Sequence, residues 1–505
     1  TDGDGRDSPG RAISMETDGI IETVTGNVIR TSNPATGQNQ YGILASNQGR
    51  GSDASSVTLT FTGNDIDVDD VGIWVNNHDG DTPGVRVENN TVVGKEGIRL
   101  LNLTGGTALE AQGNTVEADT LGMRVQTVTV DAPDPFAVSG NTLTFPNGQE
   151  FDGDDSGAIE GDALGEQVVG IQVGSLRGSA TPVFEDNVLG ASGADGPFYG
   201  YSVFDVQAGA PAEIRQTSAV TGASISGVQQ GVFLFNTTDF NTVAGSNVVI
   251  DGLVMDDFTG TSPNDGVNFH AGVFVFTIPP MAGPSALLST TIRDVKVENT
   301  GIAGGTSAPP TGCSDASDEA ASKCGGQASA GLYFGDFGST ANVRQRTTVE
   351  RATLTGNDNR GVFLRGPGAE ATVTQSTFTD NGDAPFTAGG NHGYSAIARV
   401  NGRLAIGNSL ITGPSSVTTS GSPGDNDLLQ ESANGQLLVA GSALDRNGVG
   451  DFTSGAVNAS GNVWLDGGTV VSPAQVAGLS GTTDYTPWLV SAADTGTGTP
   501  GFQGD

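Results

Sequence analysis

The chain has 505 residues, with 57 acidic against 21 basic side chains and a formal net charge of −36. A field this negative excludes general polyanion binding of the nucleic-acid or heparin type and disfavours acidic lipid surfaces. Charged residues are 15% and apolar residues 35%, and no apolar run reaches about 18 residues, so neither a highly charged disordered polymer nor membrane insertion is expected.

The chain opens on Thr1-Asp2-Gly3-Asp4-Gly5-Arg6-Asp7, without an initiator Met or a basic-then-apolar leader, and reads as a processed chain or an excised segment. Residues 1–11 form a polar lead-in. From residue 12 two short phrases recur. The first is a small or polar residue, then Asn, then any residue, then an aliphatic: Gly26-Asn27-Val28-Ile29, Gly63-Asn64-Asp65-Ile66, Asn89-Asn90-Thr91-Val92, Gly113-Asn114-Thr115-Val116 and Gly140-Asn141-Thr142-Leu143. It returns at Asn187, Asn357, Asn381, Asn408 and Asn462. The second is Gly-aliphatic-x-aliphatic: Gly72-Ile73-Trp74-Val75, Gly97-Ile98-Arg99-Leu100, Gly122-Met123-Arg124-Val125, Gly170-Ile171-Gln172-Val173, and later Gly231-Val232-Phe233-Leu234, Gly272-Val273-Phe274-Val275 and Gly361-Val362-Phe363-Leu364.

Each aliphatic-x-aliphatic stretch predicts a short strand with alternate side chains inward. Gly and Asn accept left-handed backbone and turn the chain between strands. Such short strands bury nothing alone, but stacked windings hydrogen-bond to one another and close one apolar core. Asn at equivalent turns then forms an amide ladder along the stack. The best short helical candidate is 316–323, inside a polar excursion.

These phrases resemble those of right-handed parallel β-helix proteins of the pectate-lyase-like architecture, over residues 12–465. The fold class expected is therefore all-β, a right-handed parallel β-helix (β-solenoid) with lateral loop insertions. A β-sandwich or propeller is the competing all-β reading, and the irregular spacing without a blade signature ranks it second. Insertions near 145–167 and 303–330 are expected to project sideways, with shorter ones at 209–218, 260–269 and 415–427. Gly461-Asn462-Val463-Trp464-Leu465 and Thr483-Asp484-Tyr485-Thr486-Pro487-Trp488-Leu489 resemble the closing region of secreted bacterial β-helix proteins. The resemblance implies a capping region over 466–494, with Trp464, Tyr485 and Trp488 covering the open apolar end, and a tail or linker over 495–505.

Candidate chemistry is sparse. Cys313 and Cys324, the only two Cys, lie in one polar excursion and are expected to form a local disulfide worth roughly 3 kcal/mol on the loop-entropy model. Asp152, Asp154 and Asp155, followed by Glu160 and Asp162, place oxygens as calcium loops do, although Ala163 stands where the bidentate Glu belongs, so the segment reads either as a solvated Asp/Gly loop or as a site for calcium as cofactor. His78, His270 and His392 have no partner at metal or triad spacing. Lys95, Lys296 and Lys323 are the only lysines, few for a lyase base. Asp69-Asp70 and Asp256-Asp257 occur without the Gly-His-Gly phrase that the resemblance asks of a polygalacturonase-type hydrolase. Arg360 and Arg365 near Asp358, Asp380 and Asp383 read as surface ion pairs.

No catalytic set is assigned and no organic cofactor is expected. The reading is an extracellular or cell-surface structural or adhesive module of a layer, fibre or matrix, with self-association or glycan and matrix contacts as partners. The alternatives are a secreted polysaccharide lyase or hydrolase, and non-catalytic glycan binding through Tyr199, Tyr201, Phe233, Phe235, Phe274 and Phe276.

Overall fold

The computed structural model describes residues 10–16, 23–30, 40–46, 58–77, 84–106, 108–146, 168–191, 199–207, 210–228, 230–236, 247–256, 258, 271–278, 287–300, 330–336, 338, 342–357, 360–381, 395–399, 401–413, 426–430, 436–445, 451–454, 457–472, 483–486 and 489. Among these no helix occurs, and the helical candidate at 316–323 lies outside them, as do the two large insertions apart from residues 145, 146 and 330. The described chain is a parallel β-helix. It falls into two compact units, Thr1–Val228 with Ser246–Val248, and Gln229–Gly245 with Val249–Asp505.

In the first unit each full winding carries three strand stretches. The winding Thr58–Thr62, Asp65–Asp67 and Val71–Asn76 is followed by Gly84–Glu88 and then Thr91–Gly106, which bends and supplies the second and third stretches together. Each stretch pairs in parallel with its counterpart one winding on: Leu59 with Val85, Ile66 with Val92, Ile73 with Ile98. Alternation sends Leu59, Ile66, Ile73 and Val75 inward, each at most 2% exposed, and leaves Trp74 and Asn76 half-buried on the outside. The second unit repeats the plan, for example in Gln345–Glu350, Thr353–Thr355 and Arg360–Arg365, which pair with Ala369–Thr374, Thr377–Thr379 and Ser395–Arg399.

The glycines of the two phrases serve different ends. Gly63, before a ladder Asn, has φ +64°, the left-handed turn expected. Gly231, opening an aliphatic phrase, is needed for space instead: a Cβ there would lie 2.5 Å from Gly272 O and 2.7 Å from Met255 Sδ.

The amide ladder forms in the first unit. Asn27, Asn64, Asn90, Asn114 and Asn141 each donate both the backbone N–H and the side-chain Nδ2 to Oδ1 of the next, ending on Asn187. Nδ2 of Asn114 also donates to Val87 O at 2.8 Å, so a buried amide has its polar atoms engaged. Burial pushes the Tyr201 hydroxyl up, against the effect of its hydrogen bond with Asn187.

Of the later Asn phrases only Asn187 and Asn462 hold the ladder position. Asn357 and Asn381 follow the second strand stretch rather than precede it, and form a separate short ladder, Thr300 to Asn357 to Asn381. Asn408, at φ +49°, takes the turn residue's place. The ladder position belongs to Ser376, Ser409 and Ser442, each backbone N–H donating to the next side chain until Asn462 Oδ1 ends the run. A hydroxyl accepts one such bond and donates locally, Ser409 Oγ to Gly407 O at 2.9 Å, so Ser substitutes for Asn with fewer contacts between windings.

At the last described windings Trp464 occupies an inward position opposite Leu444 and is fully buried. Leu465 and Asp466 then pair antiparallel with Val470 and Thr469. Asp445 anchors that reversal by accepting from the N–H groups of Gly467 and Gly468 at 3.0 and 2.8 Å. Leu489 packs on Ala443, Val463 and Leu465. Tyr485 is half-buried, and Trp488 lies outside the described residues.

Candidate functional site

The x residue of the Gly-aliphatic-x-aliphatic phrase faces outward, and parallel register lines these residues up. In the first unit the row runs Leu44, Trp74, Arg99, Arg124, Gln172, Ser202. Neighbours on it are one strand spacing apart, about 4.8 Å. Leu44, Arg124, Gln172 and Ser202 are buried, while Trp74 and Arg99 are half-buried, so a ligand reaches the row at those two windings.

There the side chains form one connected group. Tyr41 meets Trp74 edge-on, with ring centroids 5.3 Å apart and planes at 66°. The Arg99 guanidinium lies 5.2 Å from the Trp74 centroid, a cation–π contact, and its Nε and Nη2 donate to both oxygens of Glu96. Glu96 opposes Val71 in the register, and its N–H donates to Asp70 O at 2.9 Å, which brings Asp70 alongside. Burial, then the charge of Glu96, pushes the Asp70 carboxyl up to about 6, with Arg99 and Lys95 pulling the other way. One winding on, burial raises Asp119 against the pull of Lys95, whose carbonyl accepts from Thr120 Oγ1 at 3.0 Å.

Two half-buried aromatic rings, a shared guanidinium and nearby carboxyl groups make a surface suited to a polyhydroxylated ligand. Rings pack on its C–H faces, and carboxylates and guanidinium exchange hydrogen bonds with its hydroxyls. Nothing in the group resembles a nucleophile–base pair.

The second unit carries a different outward row. Phe233, Phe274, Tyr333 and Phe363 meet across successive windings, with centroids 5.4, 4.5 and 5.0 Å apart, the first pair stacked and Tyr333 edge-on to both of its neighbours, and Arg360 lies 4.3 Å over Phe363. Phe235 and Phe276 stack beside them at 5.4 Å. Phe233, Phe235, Phe274, Tyr333 and Phe363 are at most 6% exposed, and Arg360 only 2%, so this row is packing rather than an open platform and Arg360 is not a surface ion-pair residue. Tyr201 points into the core, and Tyr199 is buried. Of the aromatics expected to meet a glycan, Phe276 alone is half-buried, as Tyr41 and Trp74 are.

Asp152, Asp154, Asp155, Glu160 and Asp162 lie outside the described residues, as do Cys313, Cys324 and all three His. Among the described residues no group of three or more His, Cys, Asp or Glu is arranged to hold a metal. Asp256, from the second paired-carboxylate phrase, accepts a hydrogen bond from Asn299 at 2.8 Å and Asp257 is not described.

Each phrase that carries Trp74, Arg99, Arg124 and Gln172 is visible in the sequence as a strand. The signal available but unused was the identity of x when the phrases are aligned one under another. No protein-family model matches the chain, and no curated protein or solved structure is significantly similar to it.

Proposed function

We propose that this chain is an adhesive module of the cell exterior, a pectate-lyase-like β-solenoid in architecture, which holds a neutral glycan chain at Tyr41, Trp74 and Arg99. The observation that carries this reading is the half-buried Tyr41–Trp74 pair braced by Arg99 across adjacent windings. The excess of carboxylates at the site and the net charge of −36 favour a neutral polymer over an acidic one. On an array of neutral oligosaccharides the protein binds, and Trp74→Ala reduces that binding at least tenfold while leaving the circular dichroism spectrum unchanged. Equal binding by the variant would remove the site from the account.

A glycoside hydrolase is the second reading, favoured by the raised proton affinity of the Asp70 carboxyl, which burial and the charge of Glu96 bring up to about 6. Release of reducing ends from the bound oligosaccharide would replace adhesion by hydrolysis. The exterior setting also carries three parts of the proposal in the excursions and between molecules: calcium at Asp152, Asp154, Asp155, Glu160 and Asp162, the Cys313–Cys324 disulfide, and self-association. Chelator lowers the melting temperature if calcium is held. Free-thiol titration reads zero if the disulfide is formed, and sedimentation becomes concentration-dependent if the modules associate.

A further inference from the structure

We propose that the interior of the second unit is a binding site for ordered water, built by Thr290, Thr347 and Gln345. The site is independent of the glycan reading.

The first strand stretch of a winding ordinarily turns apolar residues inward: Val85 and Val87 in Gly84–Glu88, Leu404 and Ile406 in Arg403–Gly407. Two adjacent windings of the second unit depart from this. Leu288–Arg293 turns Thr290 inward, and Gln345–Glu350 turns Gln345 and Thr347 inward, at 2%, 0% and 1% exposure. Parallel register sets Thr290 directly against Thr347, with Gln345 two residues before Thr347 and therefore on the same face. The next winding places only Ala369 and Ala371 opposite Gln345 and Thr347, so short side chains adjoin the polar ones.

Among the described residues none hydrogen-bonds to Thr290 Oγ1, Thr347 Oγ1 or Gln345 Oε1, although all three atoms are sealed from bulk solvent. The Gln345 amide is held by its other end, Nε2 donating to Val275 O at 3.4 Å. Three polar atoms kept dry in an apolar core would cost free energy with nothing to offset it. A water at about 2.8 Å from each partner spans two hydroxyls one strand spacing, about 4.8 Å, apart. It accepts from the Thr hydroxyls and donates toward Gln345 Oε1, directly or through a second water, and so has the several polar partners that a buried water requires. A cation suits the place poorly, because the three oxygens are neutral and calcium takes about six to eight, carboxylates among them. The buried carboxylate of Asp336 is already matched by Arg344, Thr277 and the N–H of Gly368.

The test is a crystal structure of the whole chain at a resolution that shows ordered solvent, joined to deuteron magnetic relaxation dispersion, which counts long-held internal water. Solvent density lies within hydrogen-bond distance of both Thr oxygens, and the dispersion amplitude falls when Thr290→Val and Thr347→Val are combined. Thr347→Val alone lowers the urea midpoint, because the water loses a partner. An empty site in the wild-type crystal overturns the proposal, as does an unchanged amplitude in the double variant. A midpoint raised by Thr347→Val overturns it too, since that is what removing an orphaned hydroxyl from a dry core gives. Should the double variant fail to fold, the wild-type density alone decides.

Discussion

The two units share one winding plan and put it to different uses. In the first, the turn ladder is built of Asn and the outward row is polar, with an ion pair, Arg99–Glu96, at its accessible end. In the second, Ser takes the ladder position, the outward row is aromatic and closed, and the ion pair Arg344–Asp336 is sealed at 2% and 0% side-chain exposure. Inward positions are mostly aliphatic with some aromatics in both, so the difference lies in the residues that alternation leaves outside and in what the turns use to join windings. A buried pair fixes structure, and a half-open one is left with capacity to meet a ligand.

The largest expected effect separates the two ion pairs. Asp336 accepts from Arg344 at 2.5 and 2.6 Å, from Thr277 Oγ1 at 2.9 Å and from the N–H of Gly368 at 3.0 Å. Asp336→Ala takes its carboxylate from a buried guanidinium and costs about 4 kcal/mol, read as a fall in the urea midpoint of the second unit. Glu96→Gln, at a pair where Arg99 keeps 17% of its side chain exposed and an amide oxygen still accepts, costs about 1–2 kcal/mol by the same measurement but weakens glycan binding. Similar losses for both would erase the contrast.

The ladders differ less. Asn114→Ala strips acceptor and donors from a rung that is 1% exposed and costs about 3 kcal/mol, against about 1 kcal/mol for Ser409→Ala. Equal costs would mean that the amide ladder adds nothing over a hydroxyl one.

The smallest effect has the opposite sign. A carboxyl raised from 3.8 to about 6 keeps its proton in the folded protein over a range where the unfolded chain has lost it. Stability from this group therefore falls as pH rises from about 4 to 6, and the full penalty stands above that. Asp70→Asn removes the penalty, stabilising the protein by about 1–2 kcal/mol at pH 7.5 after allowance for solvent screening, and by almost nothing at pH 4. Stabilisation at pH 4 alone would reverse the assignment.

Much of this plan is legible in the sequence because the core needs a strict period. Ile73, Ile98, Met123 and Ile171 each follow a Gly that close backbone approach demands, and Asn27 through Asn141 recur where the turn must both reverse the chain and satisfy amides. Asn357, Asn381 and Asn408 mislead because Asn suits any left-handed or ladder turn, so the same letter marks three different places in a winding. The site was less legible for a converse reason. Trp74 and Arg99 stand 25 residues apart, and only register brings them together. Asp70 reads as one of many carboxylates until Glu96 and Arg99 are set beside it.

That register is the premise on which the site depends, and spin labels read it most directly. Thr91 and Thr115 are exposed, paired one winding apart, and Thr142 follows on the next. With Cys313 and Cys324 replaced by Ser, nitroxides at 91 and 115 should lie about 5 Å apart and broaden each other strongly, and those at 91 and 142 about 10 Å apart and broaden each other less. Weaker coupling in the 91–115 pair than in the 91–142 pair, or none in either, would contradict the stacked windings and the Trp74–Arg99 site with them.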